Sequence, residues 1–521
     1  MRILVAEALA QEGLDLLGRD HAVDVRVGLE RADLLATLPD YEGLVVRSQV
    51  QVDAEAIAAG SRLMVIGRAG VGVDNIDVEA ATRAGITVVN APTGNTIAAT
   101  EQTIGLMLAA ARRIAAADAS LRRGEWKRSA FTGIELRGKT LGILGLGRIG
   151  LAVADRARGL EMAVVGHDPF VSADVAAAHG ITLLETDEVL ARADVLTVHV
   201  PGGRSTHGLV GARELALMPA GAIVLNVARG GIVDELALTE ALRSGHIGAA
   251  GIDVFTAEPP RESPLLDAPR TVLTPHLGAS TAEAQIRVAV EASQQVVDVL
   301  EGRSARYAVN APLATPDTAP VVAPYLAVAE TLGRLRAQLG PLAGEMTLEL
   351  AGELAEHDAA PLTAAALQGL LEASTEERVN LVNAPSLARA RGLTLVERRT
   401  ADAGRYASLV SLGGGAGGTI VGGTLANGEP RLVRLGEHWL DIAPSEWMLV
   451  TRHEDLPGTI GRVGAILGEA DVNISAMHVA RSLPRADAFM ILALDDPVDD
   501  AVADRIRGLA AVHELWLVHL A

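Results

Sequence analysis

Short hydrophobic runs alternate with longer helical stretches along the first 90 residues of the chain. The runs are rich in Val, Ile and Leu, and they lie at Ile3–Val5, Val23–Val27, Leu44–Val46, Met64–Ile66 and Thr87–Val89. Short apolar runs that are separated by helical segments are typical of a parallel β-sheet with crossover helices. The pattern therefore predicts an α/β unit at the start of the chain.

The same rhythm returns from Thr140 onward. The predicted strands are Leu141–Leu144, Ala163–Gly166, Val195–Val198, Ala222–Leu225, Gly248–Ile252 and Thr271–Leu273. Two long helical patterns, at about residues 97–116 and 281–300, connect this unit with the first one. We predict a discontinuous first domain, residues 1–97 plus 286–310, and a second parallel-sheet domain, residues 98–285, with a cleft between them.

The character of the sequence changes after Gly302. Residues 311–320 are Pro-rich and typical of a linker, and residues 321–440 carry mixed helix and strand signals. From residue 447 the pattern is strand, helix, strand, strand, helix, strand, which predicts a ferredoxin-like βαββαβ unit. We therefore predict an α+β domain over residues 318–442 and a ferredoxin-like domain over residues 447–521.

The composition narrows the classes of function. Lys plus Arg is 45 and Asp plus Glu is 65 in 521 residues, so the net charge of −20 argues against binding to nucleic acid or an anionic membrane. The absence of Cys excludes disulfides, thiolate metal sites and a cysteine nucleophile, and it fits a reducing cytoplasm. The longest uncharged stretch, residues 407–428, holds eight glycines in 22 residues, so it predicts strands and a loop rather than a membrane helix. We also expect no metal site.

A glycine motif follows the first strand of the second unit. Gly145, Gly147 and Gly150 form a Gly-x-Gly-x-x-Gly pattern between an apolar strand and a helical run. In such a turn the glycines allow a tight bend, the approach of a pyrophosphate and close helix–strand packing. The next strand ends at Asp168, where a carboxylate binds the ribose 2′-hydroxyl and repels a 2′-phosphate. The motif predicts an NAD site, and the alternative is an ordinary turn with a surface Asp.

Three polar residues follow later strands of the same unit. Arg229, Glu258 and His276 each come just beyond a predicted strand, at the edge where α/β sheets bind ligands. Taken singly, each of the three is more simply explained without a function: an Arg in a loop is usually a solvated charge, and a Pro-His pair is often structural. Together they supply a cation for a carboxylate, an acid that orients an imidazole, and a proton acceptor that titrates near neutral pH.

These motifs resemble the D-isomer-specific 2-hydroxyacid dehydrogenases over about residues 1–310. The whole chain resembles the long-form members that act on 3-phosphoglycerate, in which an intervening domain and an ACT domain follow the catalytic half. The resemblance implies a substrate-binding domain at residues 1–97 plus 286–310 and an NAD-binding Rossmann domain at 98–285. It also implies an intervening domain at 318–442 and an ACT regulatory domain at 447–521.

The resemblance assigns roles to individual positions. His276 matches the general base, Glu258 its acidic partner, and Arg229 the residue that binds the substrate carboxylate and the C2 oxygen. Backbone amides at Gly70 and Val71 match the carboxylate loop. The positions that match NAD contacts are Gly145, Gly147, Arg148, Ile149, Gly150, Asp168, Val200, Val227, Ala228, Asp253, Gly278, Ala279 and Val71.

The implied substrate is 3-phosphoglycerate and the implied product is 3-phosphohydroxypyruvate, so the site needs cations for a phosphate. Arg47 and Arg68 both end strands of the first unit and are expected to face the cleft. In resembling enzymes a basic segment such as Lys127–Arg128 reaches the site of a neighbouring subunit, which implies a homo-oligomer, a dimer or a tetramer. The alternative for these two residues is a solvated basic turn.

The ACT-like unit carries a candidate effector site. In the family, an amino acid binds between paired domains, and the implied ligand is L-serine, the end product of the pathway. His453 and Asp455 lie in the first turn of the unit, which we expect to face Asn473. The alternative is a dimerising domain without a ligand.

Two further hypotheses for the function of the whole chain stay open at this point. One is a glycerate or hydroxypyruvate reductase with the same core, which has no need for converging arginines or an ACT-like end. The other is a non-catalytic NADH-sensing corepressor on the same fold, which can dispense with turnover. The intact set of Arg229, Glu258 and His276 argues against the second hypothesis.

Overall fold

The protein is described by a computed structural model. The described residues are 1–303, 305–312, 314, 318–342, 345–372, 375, 378–414 and 419–520. Part of the predicted linker (residues 313 and 315–317), part of the glycine-rich stretch (residues 415–418) and residue 521 lie outside the described residues.

The first unit is a parallel five-stranded sheet with the order β2-β1-β3-β4-β5. Its elements are β1 (Arg2–Val5), α1 (Gln11–Leu17), β2 (Ala22–Val25), α2 (Arg31–Thr37), β3 (Gly43–Val46), α3 (Ala54–Ala59), β4 (Val65–Arg68), α4 (Val78–Arg83) and β5 (Thr87–Asn90). Strand β3 is buried along its whole length, as expected for a strand that is covered on both faces. Val46 pairs with Arg68, so the ends of β3 and β4 lie side by side.

The second unit is a parallel seven-stranded sheet with the order β12-β11-β10-β9-β6-β7-β8. Its elements are α5 (Thr96–Arg112), α6 (Ile114–Arg122), β6 (Thr140–Leu144), α7 (Arg148–Gly159), β7 (Ala163–His167), α8 (Ala173–Ala178), β8 (Thr182–Leu183), α9 (Thr186–Arg192), β9 (Val195–Val198), α10 (Ala212–Leu217), β10 (Ala222–Asn226), α11 (Glu235–Ser244), β11 (Ile247–Ile252), β12 (Thr271–Leu273) and α12 (Ala282–Leu300). The chain order reverses between β6 and β9, which is where doubly wound sheets bind ligands.

The two sheets are joined through α5 and α12. The single helix expected over residues 97–116 is in fact two helices, because Arg113 has a left-handed backbone (φ 56°) that ends α5 and precedes α6. Helix α12 returns to the first sheet, where a Cβ on Gly67 would lie 2.5 Å from Val296. Only glycine lets the helix pack this closely on β4.

The third unit is a six-stranded sheet with the order β14-β13-β15-β16-β17-β18, in which only the β13–β14 pair is parallel. Its elements are α13 (Ala319–Val322), α14 (Leu326–Gln338), β13 (Glu345–Gly352), α15 (Ala360–Glu372), α16 (Ala384–Ala390), β14 (Thr394–Thr400), β15 (Ser408–Gly414), β16 (Val421–Ala426), β17 (Glu429–Leu435) and β18 (His438–Ile442).

The last unit has the predicted βαββαβ order and an antiparallel sheet, β20-β21-β19-β22. Its elements are β19 (Trp447–Glu454), α17 (Thr459–Glu469), β20 (Ile474–Arg481), β21 (Asp487–Leu494), α18 (Asp500–Arg507) and β22 (Val512–His519). Alternate residues of β19 face opposite sides: Leu449 packs under α17 and α18, whereas Met448 and Val450 join the core of the third unit. The third and fourth sheets therefore share one apolar core.

The fold class predicted from the sequence is confirmed: two parallel α/β units, a mixed-sheet unit and a ferredoxin-like unit. None of the described helices combines the length and the hydrophobicity that a bilayer crossing requires.

Candidate active site

The glycine turn after β6 has the shape that a pyrophosphate requires. Gly145 has φ 94°, and a Cβ there would lie 2.6 Å from the carbonyl oxygen of His199. A Cβ on Gly150 would lie 2.1 Å from the carbonyl oxygen of Gly145, so α7 packs tightly on the turn. A Cβ on Gly147 would meet nothing within 4 Å. The turn thus leaves open space at the helix N-terminus, where Arg148 begins α7, and the residues fit NAD.

Asp168 stands beside this turn. One carboxylate oxygen accepts a hydrogen bond from the backbone amide of Leu146 at 2.8 Å, and the other accepts from the amide of Phe170 at 2.8 Å. Each oxygen of a carboxylate has two lone pairs, so both retain capacity for ribose hydroxyls.

The other predicted cofactor contacts gather at the carboxyl edge of the second sheet. They follow β9, β10, β11 and β12 in turn, at Val200, Val227, Ala228, Asp253, Gly278 and Ala279. Two positions lie on α7, and the guanidinium of the first, Arg148, donates to the carbonyl of Pro92 at 3.3 Å. The second is Ile149, which packs against the core of this sheet.

His276 and Glu258 form a direct pair. Nδ1 of His276 lies 2.7 Å from Oε2 of Glu258, and Oε1 of the same carboxylate accepts from the amide of Phe255 at 3.1 Å. Burial alone would raise the pKa of Glu258, but the hydrogen bonds from His276 and Phe255 and the charge of Arg229 outweigh it and lower the pKa. An ionised Glu258 keeps the proton of the imidazole on Nδ1 and leaves the lone pair of Nε2 available as a base.

Arg229 reaches across the cleft to the first unit. Its Nε donates to Asp74 at 3.0 Å, and its Nη1 donates to the carbonyl of Ala228 at 2.7 Å. A Cβ on Gly72 would lie 1.9 Å from its Nη2, so the guanidinium lies directly on the loop that carries the predicted Gly70 and Val71. A cation from one sheet and backbone amides from the other thus meet in one place.

Successive parts of the chain match three family models. The D-isomer specific 2-hydroxyacid dehydrogenase NAD binding domain matches residues 104–278, the D-3-phosphoglycerate dehydrogenase intervening domain matches residues 321–436, and the ACT domain matches residues 447–511.

The full length of the chain is similar to curated D-3-phosphoglycerate dehydrogenases. The protein from Synechocystis is 44% identical over 100% of this chain and 95% of its own length. The protein from Archaeoglobus fulgidus is 42% identical over 100% of both chains. The chain belongs to the D-3-phosphoglycerate dehydrogenase family.

Solved structures agree with this placement of the catalytic half. The TT0316 protein from Thermus thermophilus is 39% identical and has a TM-score of 0.55 over 59% of this chain and 100% of its own. A glyoxylate reductase from Paecilomyes thermophila is 31% identical, also with a TM-score of 0.55, over 59% of this chain. The resemblance inferred from the sequence and the prediction of an NAD-dependent dehydrogenase are therefore confirmed.

Arg68 is the less solvated of the two predicted phosphate ligands. Its Nε is fully buried and has no hydrogen-bond partner among the described residues. Burial, together with the charge of Arg229, lowers the pKa of Arg68 to about 10, so it stays protonated at neutral pH. Arg47 lies on the adjoining loop, and its Nη1 donates weakly to the carbonyl of Ala8 at 3.4 Å.

Glu7 shapes the Arg47 loop, and we did not predict this role. Its carboxylate is 8% exposed and accepts from the backbone amides of Arg47, Gln49 and Val50 at 2.8 to 3.2 Å. Asn75 completes the loop by donating to the carbonyl oxygens of Arg47 and Val50. The available signal was an acidic residue that directly follows the apolar first strand.

Lys127 and Arg128 are not brought to the cleft of their own chain. Lys127 pairs with Glu125 at 3.3 Å, and Arg128 begins a 3-10 turn that ends at Phe131. Trp126 beside them is 79% exposed. Among the described residues, moreover, no group of three or more His, Asp or Glu side chains is placed to hold a metal ion.

The three predicted effector residues of the ACT unit do not meet within one chain. Asp455 pairs with Arg481 at one end of β20, whereas Asn473 donates to Asp495 at 2.6 Å at the other end. The two ends are roughly 23 Å apart along the sheet. The expectation that the first turn faces Asn473 is therefore wrong within a single chain, because α17 carries the chain back along the sheet. His453 is 1% exposed and packs inside the unit.

The geometry at Asp168 generates a prediction about cofactor choice. Replacing Asp168 by Ser and Pro169 by Arg should raise the ratio of kcat/KM for NADP to that for NAD by about ten- to a hundredfold, because a repelling charge is removed and a phosphate partner is added. Steady-state kinetics with both cofactors measures the ratio. The matched control, Asp168→Asn, retains the acceptor for the Leu146 amide and should shift the ratio less. A ratio that does not move would show that Asp168 is not at the ribose.

Proposed function

We propose that this enzyme oxidises the C2 hydroxyl of 3-phosphoglycerate to the ketone of 3-phosphohydroxypyruvate, the first step of L-serine biosynthesis. The observation that carries the proposal is the pairing of a general base with an anion cradle. His276 and Glu258 form the 2.7 Å pair, and the guanidinium of Arg229 lies close enough to Arg68 for its charge to lower the pKa of Arg68. A base, a carboxylate clamp and a further cation match a phosphorylated 2-hydroxy acid.

In this proposal the side chains of the chain carry out the proton transfer and the binding. Nε2 of His276 takes the proton of the C2 hydroxyl, while Glu258 holds the ring and stabilises the imidazolium that forms. Arg229 binds the substrate carboxylate and the C2 oxygen, together with the amides of Gly70 and Val71. The glycine turn after β6 and Asp168 would hold NAD, which would supply the acceptor for the hydride of C2.

The phosphate end distinguishes this substrate from glycerate. A buried guanidinium with an unpaired Nε is an unfavourable arrangement, and it becomes favourable when an anion accepts from it. Arg68 supplies this donor, and Arg47 stands on the neighbouring strand end. A glycerate or hydroxypyruvate reductase would gain nothing from such a cation, and this favours the phosphorylated substrate. Lys127 and Arg128 complete the phosphate site of a neighbouring subunit in this proposal.

The ACT unit supports a proposal of serine regulation in a homo-oligomer, a dimer or a tetramer. Strand β20 is the edge of its sheet, and Ser475, Ala476 and Met477 on it are exposed. Antiparallel pairing of β20 with its counterpart in a second chain would bring Asn473 to the partner's Asp455. The two halves of the effector site, which lie far apart in one chain, would then form one site. A cytoplasmic location is part of the same proposal.

The role of His276 is tested by His276→Asn. We expect kcat to fall by ~10²–10⁴ while NADH affinity, measured by fluorescence, stays near that of the wild type, because only the proton acceptor is lost. His179→Asn is the matched control, since His179 follows α8 and pairs with Asp155, about two turns along α7 from the glycine turn. A His276 variant that retains more than about a tenth of kcat would refute the assignment.

Arg68→Ala tests the phosphate assignment. Loss of a charge-assisted hydrogen bond should lower kcat/KM for 3-phosphoglycerate by about ten- to a hundredfold. The loss with unphosphorylated glycerate should be much smaller. Arg62→Ala is the control, because Arg62 pairs with Glu42 at the opposite edge of the same sheet. Equal losses with both substrates would mean that Arg68 holds the carboxylate end or the fold.

Asn473→Ala tests the effector site. L-serine should bind the wild type at millimolar concentration in calorimetry and lower its activity, with a coupling of about five- to 150-fold. Asn473→Ala should abolish inhibition and keep basal kcat, and D-serine is the matched ligand control. A point variant is preferable to removing residues 447–521, which would uncover the core shared with the third unit. Absence of serine binding, or full inhibition of the variant, would count against the site.

A further inference from the structure

His276 has an unusual backbone conformation. Its φ of 53° lies in the left-handed region, which is unfavourable for a residue with a side chain. Such a conformation persists only when neighbouring contacts hold it in place. The amide of His276 donates to the carbonyl oxygen of Asp253 at 2.8 Å, which ties it to the end of β11.

The carboxylate of Asp253 holds the rest of this turn. Asp253 is 0% exposed, and its two oxygens accept from the amides of Leu277 and Gly278, both at 2.8 Å. The hydroxyl of Thr274 contacts the same carboxylate at 2.5 Å. Asp253 thus bonds residues on both sides of His276 and fixes the direction in which the imidazole leaves the backbone.

Gln102 extends this network to α5. Its side-chain Nε2 lies 3.0 Å from the hydroxyl oxygen of Thr274 and 3.4 Å from Oδ1 of Asp253. An amide nitrogen can only donate, so the hydroxyl oxygen of Thr274 accepts a hydrogen bond from Gln102. The same hydroxyl donates its own hydrogen bond to the carboxylate of Asp253. The order of donors and acceptors is therefore fixed from Gln102 to the turn that carries His276.

Gln102 lies at the junction between the two α/β units. Helix α5 is one of the two helices that join the sheets, and it packs against β11 through Leu106 and Gly251. Gln102 therefore belongs to the helix that leads out of the substrate-binding half, while Thr274 and Asp253 belong to the half that carries His276. The network links the junction between the halves to the base.

We infer that Thr274 and Gln102 are positioning residues for this reaction, which act through Asp253 to hold the imidazole of His276 in its productive orientation. The inference rests on the proposed role of His276 as the base. Neither side chain needs to touch substrate or NAD for this role. Displacement of a reacting group by about 1 Å costs about a hundredfold in rate, so the effect on turnover is expected to be large.

Thr274→Val is the decisive variant, because it replaces the hydroxyl by a methyl group of nearly the same volume. We expect kcat to fall by at least about tenfold, with KM for 3-phosphoglycerate and NADH affinity within about threefold of wild type. Thr274→Ser, which restores the hydroxyl, should recover most of kcat. Gln102→Leu should show a smaller fall, since Thr274 can still donate to Asp253.

Thr100→Val is the matched control for a buried hydroxyl. Thr100 lies on α5, is 0% exposed and bonds the carbonyl oxygen of Thr96 within its own helix. It should retain kcat and thus separate loss of positioning from general loss of packing, which the melting temperature of each variant also reports. A fall in kcat of less than about tenfold for Thr274→Val would overturn the inference, as would failure of Thr274→Ser to recover activity. If Thr274→Val lowered NADH affinity as much as kcat, the inference would also be wrong. The network would then hold the Gly278 turn against the cofactor and not the imidazole of His276.

Two variants together separate the role of this network from the role of His276 as the base. If His276→Asn is inactive and Thr274→Val is fully active, His276 remains the base and the network has no part in positioning it. If His276→Asn is active, the proposed base is wrong, and the inference falls with it.

Discussion

Parallel strand pairing constrains where this enzyme can hold its charged groups. In a parallel sheet all strands end at the same edge. The loops that follow them are not part of the inter-strand hydrogen bonding, so their side chains and amides can bind ligands. Arg68 and Arg229 end strands or follow them in different sheets, yet the two edges face each other across one cleft. Residues that are far apart in sequence therefore meet, as Arg229 and Asp74 do across the two sheets.

Two arginines, Arg68 and Arg229, come close together at the cleft of a chain whose net charge is −20. Burial, and next the charge of Arg229, lower the pKa of Arg68, while the charges of Asp74 and Glu7 act in the opposite direction. The proposed anionic substrate would place a negative charge beside these arginines and would supply the acceptor that the Nε of Arg68 lacks among the described residues. In the proposed function, selectivity for an anionic substrate comes from a free state that is unfavourable for Arg68, whereas Asp168 would select against NADP by repelling its 2′-phosphate.

Local sequence patterns predicted the strands and the glycine turn, because each depends on contacts between near neighbours in the chain. They also placed Glu258 and His276 just beyond strands of one sheet, and the structure brings these two side chains into contact. The patterns did not predict the break at Arg113, since a left-handed residue inside an Ala-rich run leaves no pattern. The roles of Gln102 and Thr274 were equally hidden, because their bond joins residues 172 positions apart. The predicted proximity of Asp455 and Asn473 was wrong because α17 lies between them and carries the chain back along the sheet.

The third unit and the ACT unit form a single packed body rather than two separate modules. One face of the ACT sheet is covered by its own helices and the other by the third unit, so a displacement of the sheet must displace both. Gln338 on α14 bonds the backbone of His519 in both directions, at 2.9 Å each. On the opposite side, Asn380 donates to the carbonyl of Gly85 at 2.7 Å, next to β5 of the first sheet. The effector site proposed at β20 is therefore part of a body that also contacts the first sheet, and an effector there would need no contact with the NAD site to influence that sheet.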